Sequence, residues 1–194
     1  FNGNGYDDAW LKEATEKRGL LNLRTTPDAI PMLIQKENMD MLIAHKIYTE
    51  SELLARHDIL LENYCKTVRI EALTMVEIVT KEILPAIESY ESALVSTASA
   101  KRAFDVHIPC NYEQKLIKRL ATLVDTIDAR ATALESATVK LDMTSDLTEK
   151  GAFIRDNILP KMSALRVVSD EAETLTAASY WPFPTYGELL FGVK

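Results

Sequence analysis

The residues whose types invite a search for chemistry are few. Histidine stands at His45, His57 and His107, and cysteine at Cys65 and Cys110. A di-metal site inside a helical bundle needs Glu-x-x-His pairs projecting from facing helices, and no histidine here has Glu three residues before it. His57 and Asp58 are sequence neighbours, and adjacent helical residues do not share a face, so they read as a surface pair. His107-Ile108-Pro109-Cys110 offers two zinc ligands and Cys65 a third, whereas a tetrahedral site needs four. That segment reads instead as a loop with a small buried thiol. Asp125 and Asp128 lie one turn apart, as do Glu88 and Glu91. Nothing beside them in sequence suggests a shifted pKa, so they read as solvated charges. Phe1-Asn2-Gly3-Asn4-Gly5 has two glycines but neither the spacing nor the strand–helix context of a phosphate-binding loop. No catalytic, cofactor-binding or metal-ligating residue is assigned.

The composition says what kind of molecule holds these residues. The chain has 194 residues, of which 47% are apolar and 26% charged, a balance that suits a packed core. Few aromatics, six glycines and seven prolines beside abundant Ala, Leu, Glu and Lys give the profile of long helices. A net charge of −7 argues against nucleic acid, whose phosphates call for clustered Lys and Arg. No stretch is long and apolar enough to span a membrane, and no secretory leader opens the sequence, so a cytoplasmic setting with two free thiols is expected. The first residue is Phe1 inside a Gly-bearing turn, which reads as a cut with something ahead of it.

The hydrophobic spacing divides the sequence in two. In residues 1–48, Asp7 or Asp8 can cap a short helix through Trp10, Leu11 and Ala14 that ends at a left-handed Gly19. Thr26-Pro27-Asp28 then signals a start, with Thr26 at the N-cap, and short helices are expected over 27–36 and 38–46. They are too short to stand alone and must dock on something. From Thr49-Glu50-Ser51-Glu52, a capping box, one apolar stripe runs through Leu61, Cys65, Val68, Ala72, Met75, Val79, Ile83, Ile87, Tyr90 and Leu94. It predicts a helix of about 50 residues, kinked at Pro85. Asn111 with Gln114 reads as a second cap, opening a helix striped by Leu116, Leu120, Leu123, Ile127, Leu134 and Leu141. Thr144 or Ser145 opens a third, through Leu147, Ile154, Ile158, Met162, Leu165, Val168 and Leu175, in which Ile158-Leu159-Pro160 echoes Ile83-Leu84-Pro85.

The last segment has a different character. Two prolines forbid a helix through Trp181-Pro182-Phe183-Pro184, and Thr185 with Glu188 forms a third capping box. Five of the fourteen aromatic residues fall between Tyr180 and Phe191. Such crowding suits docking in a groove, so Trp181, Phe183, Tyr186 and Phe191 are the candidate docking or assembly residues. The expected fold is all-α: an antiparallel bundle of three long helices, preceded by short helices and closed by an extended aromatic-proline tail. A first helix longer than its partners must project, bend, or pack against the N-terminal segment or another subunit.

Several stretches resemble a known family. Asn2-Gly3-Asn4-Gly5-Tyr6, Glu16-Lys17-Arg18-Gly19-Leu20-Leu21-Asn22-Leu23 and Thr25-Thr26-Pro27-Asp28-Ala29 resemble the end of the catalytic region of type III glutamine synthetases. Leu60-Leu61-Glu62-Asn63-Tyr64 through Ile70-Glu71-Ala72-Leu73-Thr74-Met75 is similar too, and Tyr180-Trp181-Pro182-Phe183-Pro184-Thr185-Tyr186-Gly187 looks like the family's closing signature. The resemblance implies a parent enzyme that joins ammonia to glutamate with ATP and Mg²⁺ (or Mn²⁺), through γ-glutamyl phosphate, in stacked hexameric rings. There a carboxylate cluster holds the metals that offset phosphoryl charge. The family's metal-binding Glu and substrate-binding Arg residues lie on strands ahead of Phe1, and no residue here is matched to them. Residues 1–48 would be the tail of the catalytic domain and 49–194 the type III helical domain, with the upstream domain and identical subunits as partners. Without the resemblance, the same helices would suit a protein–protein interaction module unrelated to any enzyme.

Overall fold

The computed structural model describes residues 3–192, with the Tyr186 side chain also outside that description. Phe1 and Asn2 of the opening turn, and any packing of Tyr186, therefore lie outside the described residues. Every regular element among the described residues is helical. The chain forms two compact units, Phe1–Tyr64 and Cys65–Lys194.

In the first unit, α1 (Asp8–Lys12) is capped by Asp7, whose carboxylate accepts from the Ala9 N–H at 3.1 Å. It runs into a π-helical turn, Glu13–Lys17, and stops at Gly19, whose φ of +65° is the left-handed conformation expected there. The next start falls one residue earlier than expected: Thr25, not Thr26, is the N-cap of α2 (Thr26–Ala29), and its hydroxyl bonds to Asp28. Neighbouring threonines offer the same hydroxyl, and Pro27 is tolerated at either of the first two helical positions. Pro31 follows at once, and Ile30–Ile34 tightens to a 3₁₀ helix before α3 (Lys36–Ala44). These short elements bury only Ala14 among their described residues.

α4 (Glu50–Ile78) opens on the expected capping box. The Glu52 carboxylate accepts from the Thr49 N–H at 2.8 Å, and Thr49 Oγ1 accepts from the Glu52 N–H at 3.3 Å. Helix continues without a break through a π turn, Val79–Ile83, into α5 (Leu84–Phe104). Leu61, Cys65, Val68, Ala72, Val79, Ile83, Ile87 and Leu94 of the expected stripe are all buried.

The π turn is the local answer to Pro85. Proline has no N–H for the carbonyl four residues back, and its ring crowds that carbonyl. Here the preceding turn widens, so that the Leu84 N–H reaches Val79 O, five residues back. The same unit repeats the device. α7 (Leu147–Phe153) passes through a π turn, Ile154–Ile158, into α8 (Leu159–Leu175), where the Leu159 N–H reaches Ile154 O just ahead of Pro160. Both turns pack against α6 (Asn111–Met143) and present buried Val79, Ile83, Ile154 and Ile158.

α6 is the element that its neighbours share: α5 packs along it, and so does α8. Leu120, Leu123, Ile127, Leu134 and Leu141 are buried, as the spacing required, while Leu116 is half-buried. Two helix starts differ from expectation. α6 begins with Cys110 at its N-cap and no side-chain cap, so Asn111 is the first helical residue. α7 is capped by Asp146, which accepts from the Glu149 N–H at 2.8 Å, rather than by Thr144 or Ser145. Asp is at least as good a cap as Ser or Thr and sits one position nearer the apolar run.

The tail and the groove behind it

The segment after α8 is held to the second unit at its beginning. The Tyr180 and Trp181 N–H groups both donate to Ala177 O, and the Tyr180 ring lies 5.3 Å from that of Tyr90 on α5. Burial, with hydrogen bonding to Tyr112 next in weight, raises the Tyr90 phenol above its usual pKa. No helix forms through Trp181–Pro184, as two prolines demand. Trp181 and Phe183 are half-buried and meet edge to face at 6.3 Å. Chain direction then changes into α9 (Tyr186–Phe191), opened by a complete Thr185–Glu188 capping box.

The three candidate docking residues whose side chains are described fall into two environments. Trp181 and Phe183 form one side of a cavity of about 570 Å³ whose other walls are the α4–π-turn face from Ile70 to Ile83 and the α8 face from Met162 to Glu173. Phe191 is 81% exposed and stands beside exposed Leu189 and Leu190.

Ion pairs join the long helices at points the sequence does not reveal. Arg69 holds Asp142 through two bonds of 2.5 and 2.7 Å, which lowers the Asp142 pKa. Lys101 at the end of α5 bonds to Glu113 in the first turn of α6, which lowers the glutamate and raises the lysine. Arg119 and Glu171 link α6 to α8, and Arg130 donates to Ala164 O.

Two expectations about titratable groups need correction. His57 is buried, not on the surface, and its Nδ1 lies 2.9 Å from Oδ1 of the neighbouring, exposed Asp58. Glu88, Asp125 and Asp128 line one groove between α5 and α6, and the Glu91 pKa is raised, first by burial and then by Glu88 and Asp125. Carboxylates one turn apart on one helix meet those of the next helix, a juxtaposition that single-helix spacing cannot disclose. Both thiols are free and buried. Burial raises the Cys65 thiol, with Lys150 opposing, and Cys110 sits in the loop-end position expected of it. Among the described residues no three His, Cys, Asp or Glu side chains come together as a metal set, and no helix is long and apolar enough to cross a membrane.

Helices whose described residues bring no metal set together are best placed by their relatives. Residues 1–102 match the family model described as the glutamine synthetase C-terminal domain. The chain belongs to that family. Glutamine synthetase of Butyrivibrio fibrisolvens is 36% identical over 194 residues, a match covering 100% of this chain and 28% of the relative. Type-3 glutamine synthetase of Dictyostelium discoideum is 28% identical, covering 98% of this chain and 26% of the relative. Glutamine synthetase of Bacteroides fragilis is 27% identical, over 98% and 27%. The chain thus spans about a quarter of the length of the curated relatives it matches. Family membership rests on the first 102 residues, whereas similarity to the relatives runs on through α6, α8 and the tail.

Proposed function

We propose that this chain is the C-terminal helical part of a glutamine synthetase, a cytoplasmic enzyme that makes glutamine from glutamate, ammonia and ATP, and that its role there is structural and in assembly. The observation that carries the reading is the family match, at 102 of 194 residues, on a chain whose described residues assemble no metal set. ATP and Mg²⁺ or Mn²⁺ would be held by the remainder of the enzyme.

On this reading residues 1–48 complete the catalytic domain and residues 49–194 form the type III helical domain. Exposed Leu20, Leu21, Leu23, Met41, Ile43 and Ile47 support an upstream domain as the partner of the first segment. The helical stretches 50–104, 111–143 and 147–175 would run antiparallel as a three-helix bundle closed by the tail. The pairs Arg69–Asp142, Lys101–Glu113 and Arg119–Glu171 support that order. The tail divides its work: Trp181 and Phe183 dock on their own helices, while Phe191, with Leu189 and Leu190, docks on an identical subunit. Tyr186 stays with this docking group on its place in the sequence.

Light scattering over a range of protein concentrations tests the assembly role. The expected result is a defined oligomer whose mass falls when Leu189, Leu190 and Phe191 are all replaced by Ser, with helicity unchanged. A chain that is monomeric at every concentration would place the assembly surface outside these 194 residues.

A further inference from the structure

We infer that the cavity between the 70–83 helical face, α8 and the Trp181–Phe183 strap is a binding site for a small amphipathic cation, an amine carried on an aromatic or short aliphatic body. The inference goes beyond the structural role argued above. A volume of about 570 Å³ lies in the range of small-ligand pockets, about 300–1,000 Å³. Its interior is apolar and adaptable. Met75 and Met162 are unbranched, polarizable side chains that re-pack around different shapes, and Leu165 forms the floor. One wall contains the Val79–Ile83 π turn, a distortion found often at functional sites.

The edge of the cavity sets the sign of the ligand. Four charged residues line it: Glu71, Arg166, Asp170 and Glu173. Arg166 Nε is committed to Asp170 Oδ1 at 2.5 Å, so those two charges offset each other. Glu71 and Glu173 remain, one on each helical wall, and neither has an ion-pair partner among the described residues. An ammonium group entering here meets two carboxylates, and Trp181 adds an aromatic face of the kind that attracts cations. A carboxylate or phosphate entering the same edge is repelled. The strap that completes the wall is anchored at its start by the Tyr90–Tyr180 contact.

The test uses the full 194-residue chain with Trp10→Phe, which leaves Trp181 as the single tryptophan. Its fluorescence is titrated with 2-phenylethylamine, 2-phenylethanol and 3-phenylpropionate, three probes of one shape and different charge. The expected result is saturable binding at millimolar probe, with the amine about tenfold tighter than the alcohol, and the carboxylate weaker than both. Glu71→Gln with Glu173→Gln should bring the amine down to the alcohol without altering the alcohol. Both positions are exposed, so the variant is expected to fold, and circular dichroism checks that it does. Met162→Phe, which narrows the cavity without adding a tryptophan, should weaken binding of amine and alcohol alike. No saturable change, equal affinity for the three probes, or an amine preference that survives the Gln pair would overturn the proposal. So would a rise in mass with concentration that Met162→Phe removes while the amine fails to bind, which would give the cavity to a second copy of the chain.

Discussion

The stretch ahead of α4 and the helices behind it use the same kinds of residue to opposite effect. Ahead of α4, three short helices and two tightened or widened turns bury one side chain, Ala14, and leave Leu20, Leu21, Leu23, Met41 and Ile43 open to solvent. In the second unit a single helix, α6, buries Leu120, Leu123, Ile127, Leu134 and Leu141 between α5 and α8. The stretch ahead of α4 also carries Pro27 and Pro31, where α6 contains neither Gly nor Pro. A further difference is whether each apolar stripe has another stripe to meet. Short helices gain stability almost wholly from such tertiary contact.

The sharpest way to break this contrast is to delete equal side chains on its two sides. Ile127→Ala or Leu134→Ala should cost about 2–5 kcal/mol, because each leaves a cavity between packed helices. Leu21→Ala or Met41→Ala should cost less than about 0.5 kcal/mol. Urea unfolding of the four variants reads the difference, and equal losses on both sides would show that the short helices are packed after all.

A smaller effect sharpens the account of what aligns the long helices. Asp142→Asn removes the two-bond clasp by Arg69, and both partners are nearly half exposed, so the loss at pH 7 should be under about 1 kcal/mol. The folded-state pKa of Asp142 is lowered, so its contribution is present above the ordinary Asp value and disappears as pH falls through the folded one. Wild type and variant should therefore converge in melting temperature in strong acid and separate at neutral pH. A gap that persists in strong acid would mean the aspartate acts through packing rather than charge.

The smallest effect has the opposite sign. Glu91 has its folded pKa raised, so the fold favours its protonated form, and stability falls as pH rises from the ordinary Glu value through the folded one. Glu91→Gln should stabilise the chain at neutral pH by less than about 0.5 kcal/mol and give no gain below the ordinary Glu value. Thermal melts at the two pH values decide it. Destabilisation at neutral pH would mean that the carboxylate has a partner worth more than the repulsion from Glu88 and Asp125.

Much of the helical framework is legible in the sequence because it is written along one chain direction. The steps of three and four from Leu61 to Leu94, and from Leu120 to Leu141, mark the buried faces, and Thr49–Glu52 and Thr185–Glu188 mark two starts. Helix starts slip by one or two residues where capping residues crowd together, as at Thr25 and Asp146. Relations between helices are not written in that way. Arg69 and Asp142 are 73 residues apart, and the burial that raises Glu91 comes with a neighbour, Asp125, on another helix. His57 shows the same limit at short range, since it is buried and still lies 2.9 Å from its exposed neighbour Asp58. The aromatic crowding between Tyr180 and Phe191 is legible in the sequence, and it makes Trp181, Phe183, Tyr186 and Phe191 candidates for docking. Their division into a half-buried pair, Trp181 and Phe183, and an exposed Phe191 depends on where the groove lies.

The widened turn ahead of Pro85 also acts on the angular register of everything after it. A π turn absorbs one residue more than an α turn, which rotates the following helix by about 100° unless the sequence compensates. The apolar stripe does compensate: its steps alternate between three and four until Met75, then run four, four and four through Val79, Ile83 and Ile87, and alternate again at Tyr90 and Leu94. That surplus of one residue matches the one the π turn absorbs, so the long helix keeps one face toward its neighbour across a local change of winding. The length of the chain between Met75 and Ile87 is thus matched to Pro85. A one-residue insertion or deletion there would turn Ile87 and Leu94 away from the core, even if every remaining residue were left unchanged.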